Sequence, residues 1–165
     1  MRRLGKTGRM AVFFGTHAMK IDGKGRVSMP AAFRDALQKS GSPDAVLMPT
    51  EAAPVIEGCD RAFVDELVTR AYTPGLMPEA ARQQILLMLG EMVTLSFDPE
   101  GRFVFPAPLR GHCGAEDTAM FVGQGRTFQI WHPAKREAAR TEMKAQLGGE
   151  SLSLTRLFFL GQDKP

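Results

Sequence analysis

The chain has 165 residues, 44% of them hydrophobic and 24% charged, enough apolar material for one globular domain or two small halves sharing a core and too much for a disordered chain. Its net charge of +3 is a mild basic excess that permits an anionic partner without requiring one. Cys59 and Cys113 lie in unrelated contexts, and His17, His112 and His132 share no ligand-like spacing, so neither a disulfide framework nor a metal site is expected and the thiols read as reduced cytosolic ones.

From the N-terminus, Arg2, Arg3, Lys6 and Arg9 precede any acid, and the apolar stretch after them is too short for a signal peptide. Residues 1–9 are therefore a basic extension, and the fold is expected to begin near Met10, at "MAVFFG". No run long enough to cross a bilayer follows, so no membrane insertion is expected. "HAMKI" reads as a strand, Asp22-Gly23-Lys24-Gly25 as a tight loop and "RVSM" as the returning strand of a hairpin. Pro30 suits a first helical turn, and "PAAFRDALQKSG" ends on Gly41 as a cap. "AVLMP" and "PVIEG" read as a strand pair, after which Asp60 can cap "RAFVDELVTRA", a helix with Phe63, Val64, Leu67 and Val68 along one stripe. This first unit spans 10–72.

Residues 73–90 connect it to a second unit, and Pro78, Glu79, Ala80 and Ala81 make a helix start that carries Ile85–Leu89 into a helix. The second unit, 91–147, opens with "MVTLSF", whose Val93, Leu95 and Phe97 share one face of a strand. Asp98-Pro99-Glu100-Gly101 has the residues of a type I turn followed by a left-handed glycine, and Arg102 opens the returning strand opposite Asp98. A short helix follows Pro106, then "TAMFVG", the turn "GQGR", "TFQIW" and a helix opened by His132-Pro133 and stopped by Gly148-Gly149. The tail, 148–165, has no counterpart, and its Leu157–Leu160 run is expected to pack on a neighbour or fray.

The order strand, loop, strand, helix, strand, strand, helix thus occurs twice in an α+β chain. "IDGKGRVSMPAAFR" at 21–34 recurs as "FDPEGRFVFPAPLR" at 97–110 without a gap, with Asp22/Asp98, Gly25/Gly101, Arg26/Arg102, Pro30/Pro106, Ala31/Ala107 and Arg34/Arg110 identical. A duplication is the reading this demands.

Three roles compete for the repeated loop. A structural role makes Asp22 and Asp98 turn caps, with Gly101 and Gly25 permitting the turn, but it leaves the arginines little to do, since exposed ion pairs contribute little stability. A catalytic role would pair Asp22 with Asp98 as two carboxylates sharing a proton, which an arginine at each loop opposes by keeping both ionised. No nucleophile triad, zinc spacing or phosphate loop is present either, so no catalytic residue and no cofactor are expected. Nucleic-acid contact uses all the residues: a narrow tip reaches a groove, glycine lets backbone approach phosphate, and arginine forks two hydrogen bonds to guanine or phosphate. Lys20, Lys24, Arg26 and Arg34 gather around the first loop.

The doubled Asp-x-x-x-Arg hairpins, each followed by Pro and a short helix carrying Arg34 or Arg110, resemble the MraZ family. "FFGTHAMKIDGKGRVSMPAAFRDAL" and "MFVGQGRTFQIWHPAKREA" support the resemblance, which covers about residues 10 to 145. It implies two tandem swapped-hairpin units of the AbrB type forming one pseudo-twofold protomer. It also implies a cytoplasmic, nucleoid-associated transcriptional regulator, assembled as a ring, that binds short direct repeats of double-stranded DNA upstream of the division and cell-wall gene cluster. By the same resemblance Lys24, Gly25 and Arg26 match the family's DNA-contacting segment, with Arg102 as the second-repeat counterpart; Lys20, Arg34 and Arg110, basic residues of the two repeats, complete the set of expected DNA-binding residues. "GEMV" at 90–93 departs from the family's small residues there, and Glu100 from its neutral or basic ones. The alternative is a non-enzymatic assembly or protein-interaction scaffold of the AbrB-like, antitoxin type.

Overall fold

Both copies of the repeated loop close in the same way. Asp22 N donates to Arg26 O at 3.0 Å and Gly25 N to Asp22 O at 2.9 Å, while Asp98 N donates to Arg102 O at 2.8 Å and Gly101 N to Asp98 O at 3.0 Å. The closing residue sits at φ +76° in Gly25 and +77° in Gly101, the left-handed region where a Cβ is strained. These loops are the fixed points of a computed structural model that describes residues 10–148, 153–160 and 162.

In chain order the elements are β1 (Thr16–Lys20), β2 (Arg26–Ser28), α1 (Ala31–Lys39), β3 (Ala45–Pro49), β4 (Ile56–Asp60), α2 (Arg61–Tyr72), α3 (Glu79–Glu91), β5 (Val93–Thr94), β6 (Arg102–Val104), α4 (Ala107–Cys113), β7 (Thr118–Gly123), β8 (Thr127–Trp131), α5 (Pro133–Gln146) and α6 (Leu154–Phe159). One antiparallel sheet runs β1-β7-β8-β4-β3-β5, and β2 and β6 form a separate two-stranded ribbon. The chain divides into a unit through Pro133 and a second unit from Ala134.

The expected first hairpin is only partly made. Past the loop, β1 and β2 touch at the single bridge Ile21↔Val27, after which β1 pairs with β7 from Thr16↔Val122 to Lys20↔Thr118, and β2 pairs with β6. Strands of the first copy therefore pair with strands of the second, β5 with β3 included. The loop dictates the reversal of direction but not the partner, and burying Val27 and Phe103 together on one side of the ribbon, at 1% and 2% exposure, favours the exchange.

The core is built from equivalent positions of the repeat: Val27 and Phe103, Met29 and Phe105, Phe33 and Leu109, Leu37 and Cys113 are all buried. Cys113 thus fills the place of a leucine and acts as a small apolar side chain. Phe33 meets Phe13 edge-on at 5.3 Å between centroids and Phe128 at 5.4 Å. Across the sheet, α2 and α3 cover Val46 and Cys59 with Val64, Phe63 and Leu89. Asp60 caps α2 as expected, accepting from Phe63 N at 2.8 Å, and its other oxygen accepts from Ala11 N at 3.4 Å.

The second hairpin's opening strand is shorter than the expected "MVTLSF". Helix α3 ends at Glu91, only Val93 and Thr94 pair with β3 as β5, and Leu95 to Phe97 leave the ladder; Val93 is exposed while Leu95 is buried. Leu95 N still bonds Ala45 O at 2.8 Å, so the backbone stays at the sheet edge. Helix α5 begins at Pro133, and Gly148 takes φ +66° just past its end. Ser153 caps α6 by accepting from Arg156 N at 3.2 Å, and Leu154, Leu157, Phe158 and Phe159 are exposed among the described residues. The basic extension 1–9 and Gly149 lie outside the described residues. Among the described residues no helix is long and apolar enough to cross a membrane.

Candidate nucleic-acid interface

A strand alternates its faces, so burial of Val27 and Phe103 turns their neighbours outward. The register pairs Arg26 with Val104 and Ser28 with Arg102, and directly opposed residues share a face. The outer face of the ribbon therefore carries Arg26, Ser28, Arg102 and Val104. The two arginines lie on opposite strands two positions out of register, about 8 Å apart between Cα atoms. A two-stranded ribbon is one of the shapes that the major groove of DNA admits.

The loops hold these arginines by identical bonds. Asp22 Oδ1 accepts from Lys24 N at 2.9 Å and Arg26 N at 2.9 Å, and Oδ2 accepts from Arg26 Nε at 2.7 Å. Asp98 repeats this with Glu100 N at 2.9 Å, Arg102 N at 2.9 Å and Arg102 Nε at 2.8 Å. The Arg26 backbone N–H, then its side chain, pulls the Asp22 carboxyl down to about 2, and the equivalent bonds lower Asp98. Each carboxylate is thus ionised at neutral pH and orients a guanidinium by its Nε, which points the terminal nitrogens away from the loop.

Beyond this the two loops differ. The terminal nitrogens of Arg26 have no ion pair or hydrogen bond among the described residues, whereas Arg102 Nη2 is tied to Glu100 Oε2 at 2.5 Å. The Asp98 side chain raises the Arg102 pKa, with Glu100 adding to it. Lys24, the counterpart of Glu100, is exposed at the first tip. Lys20 is exposed at the end of β1.

Arg34 and Arg110 take a different position from the outward arginines. Each reaches beneath the loop of the other copy. A Cβ on Gly101 would collide with the guanidinium and stem of Arg34, and one on Gly25 would lie 3.0 Å from Arg110 Nη1. Arg34 Nη1 also donates to Glu100 O at 3.4 Å. The ribbon continues this crosswise support, with Phe105 N donating to Gly25 O at 2.8 Å and Met29 N to Gly101 O at 3.1 Å. The glycines therefore serve two needs, a left-handed turn and room for an arginine.

Sequence reasoning brought Arg26 and Arg102 to the loops but missed Ser28 and Val104 on the same outer face. Alternation within "RVS" and "RFV" was the signal that would have found them. His112 Nε2 lies within hydrogen-bond distance of two carbonyl acceptors, Thr50 O at 2.9 Å and Ala53 O at 3.3 Å. Burial pushes the Cys59 thiol up to about 12, which makes it inert at neutral pH. Among the described residues no group of three His, Cys, Asp or Glu side chains could hold a metal ion.

Residues 88–147 match a family model described as "MraZ protein, putative antitoxin-like". The transcriptional regulator MraZ of Rhodospirillum rubrum is 41% identical over 135 residues, covering 79% of this chain and 86% of that protein. Those of Gluconobacter oxydans and Pelagibacter ubique are 37% identical over 142 residues and 34% over 149. The alignments cover 82% and 89% of this chain, and 87% and 96% of those relatives.

Proposed function

The chain belongs to the MraZ family, and from that premise we propose that it is a DNA-binding transcriptional regulator recognising short direct repeats upstream of the division and cell-wall gene cluster. The observation that carries this reading is the pair of arginines, Arg26 and Arg102, held outward on one ribbon face by ionised aspartates. Lys20 and Lys24 neutralise phosphate beside Arg26, the Gly25 loop lets the backbone approach, and Arg34 and Arg110 act from beneath through the loops they brace. No step of this reading requires a catalytic group.

Two tandem swapped-hairpin units, 10–72 and 91–147 joined by 73–90, make up the proposed protomer, and the pairing of β1 with β7 and β2 with β6 supports that exchange. Assembly into a ring gives a cover to the exposed Met10, Val12 and Phe14, which line a groove of about 460 Å³ with Ala32 and Ala36. The protein then works in the cytoplasm at the nucleoid.

Titrating a fragment of the chain's own upstream DNA at several salt concentrations tests the function. The expected result is a footprint over repeated sequence and an affinity that falls linearly with the logarithm of salt. A scaffold acting only through protein contacts would give neither.

A further inference from the structure

The outer face of the ribbon holds two side chains that the proposed function does not use, Ser28 and Val104. Val104 is 62% exposed, while Val27 and Phe103 on the same two strands are buried. Its partner across the ladder is Arg26, and its counterpart in the repeat is Ser28, which stands opposite Arg102. The bonds from Phe105 N to Gly25 O and from Met29 N to Gly101 O mark the hydrogen-bonded positions of this ladder. Arg26–Val104 and Ser28–Arg102 are consequently the close, non-hydrogen-bonded pairs, with Cα atoms about 4.5 Å apart. One arginine thus has an isopropyl group at its side and the other a hydroxyl.

A single exposed valine on a surface is ordinary. This one sits in a basic face between two outward arginines, where a polar residue at the equivalent position of the other copy fits as well. In the major groove only thymine presents a methyl group, and apolar side chains recognise it by contact. Resting on the DNA-binding reading above, we infer that Val104 is a specificity-determining residue that packs on a thymine C5-methyl group. The two halves of the ribbon then read unlike base edges: Arg26 with Val104 recognises a polar edge beside a methyl group, and Arg102 with Ser28 recognises polar edges alone.

The test uses the full chain and two synthetic fragments of its upstream DNA, one with thymidine and one with deoxyuridine throughout the footprint, a change that deletes the methyl group and keeps every hydrogen-bonding atom. Wild type is expected to bind the thymidine fragment about three- to five-fold tighter, the worth of roughly one buried methyl group. Val104→Ser should bring that ratio close to one, and Val104→Ile should keep it. Light scattering on each variant checks assembly. A ratio unchanged in Val104→Ser, a wild-type ratio of one, or an altered assembly with the ratio preserved would each overturn the inference. If wild type shows no salt-dependent binding to either fragment, the DNA-binding reading itself fails and the inference falls with it. Intact binding with an unchanged ratio sinks the inference alone.

Discussion

Aligned through the repeat, Lys24 at the tip of the first loop falls on Glu100 at the tip of the second, while the aspartate, glycine and arginine around them are the same. The backbone bonds of the two loops agree within a few tenths of an ångström, so the comparison isolates charge from shape. Residues 20–26 carry Lys20, Lys24 and Arg26 against Asp22, a balance of +2, and residues 96–102 carry Arg102 against Asp98 and Glu100, a balance of −1. The first loop leaves the terminal nitrogens of its arginine open, and the second occupies one with Glu100. A duplicated scaffold can thus keep two hairpins of one shape and give their tips opposite charge. On this account the first loop supplies most of the DNA affinity and the second mainly completes the architecture.

The comparison breaks most visibly at the arginines. Arg26→Ala is expected to weaken binding to a promoter fragment by roughly 1–3 kcal/mol if the residue reads a guanine, and Arg102→Ala by clearly less, both measured by titration with assembly checked separately. Equal losses would end the asymmetry without touching the DNA-binding reading.

Stability should show the opposite bias. Gly101→Ala forces a Cβ into Arg34 at a left-handed φ, whereas at Gly25 the nearest atom is 3.0 Å away and the φ is the same. Both should cost about 1 kcal/mol or more in thermal or denaturant melting, Gly101→Ala the more of the two. If the two melt alike, the close approach of Arg34 is not what makes the second loop demand glycine.

Charge at the tip can be reversed directly. Glu100→Lys should tighten DNA binding by a few-fold and steepen the logarithmic salt slope by about one. An unchanged slope would mean that the second loop never faces phosphate.

The smallest effect expected is that of pH. The folded protein holds Asp22 at about 2 and Asp98 below its usual value. A depressed carboxyl adds stability above its unfolded value, near 4, and loses it as pH falls through the folded value. Melting should therefore be insensitive to these groups between pH 6 and 8 and decline below about pH 4, with a shallower decline in Asp22→Asn. The same acid dependence in that variant would remove the loop carboxylate from the account.

Much of this was legible in local sequence. The Asp-x-x-Gly-Arg loops, the Pro-opened α1, the cap Asp60 and the start of α3 at Pro78 each follow from a few adjacent residues with one dominant conformation. Strand partners were not legible from the residues themselves, because "HAMKI" offers the same alternation to "RVSM" and to "TAMFVG"; only the family resemblance implied an exchange between hairpins. The shortness of β5 was not legible either: "MVTLSF" alternates through Phe97, yet only Val93 and Thr94 pair with β3. Arg34 and Arg110 were placed at the DNA by their charge, yet their contacts depend on a loop 66 or more residues away that the sequence does not connect to them.

The most direct test places a photoreactive side chain at each loop tip. Gly23 and Pro99 are equivalent, both exposed, and a side chain at Gly23 meets no atom within 4 Å. Substituting each in turn with benzoylphenylalanine and irradiating the full chain on one promoter fragment reports which tip lies against DNA. Strong cross-linking from position 23 and weak cross-linking from position 99 is the predicted result; equal yields, or a stronger yield from 99, would contradict the account.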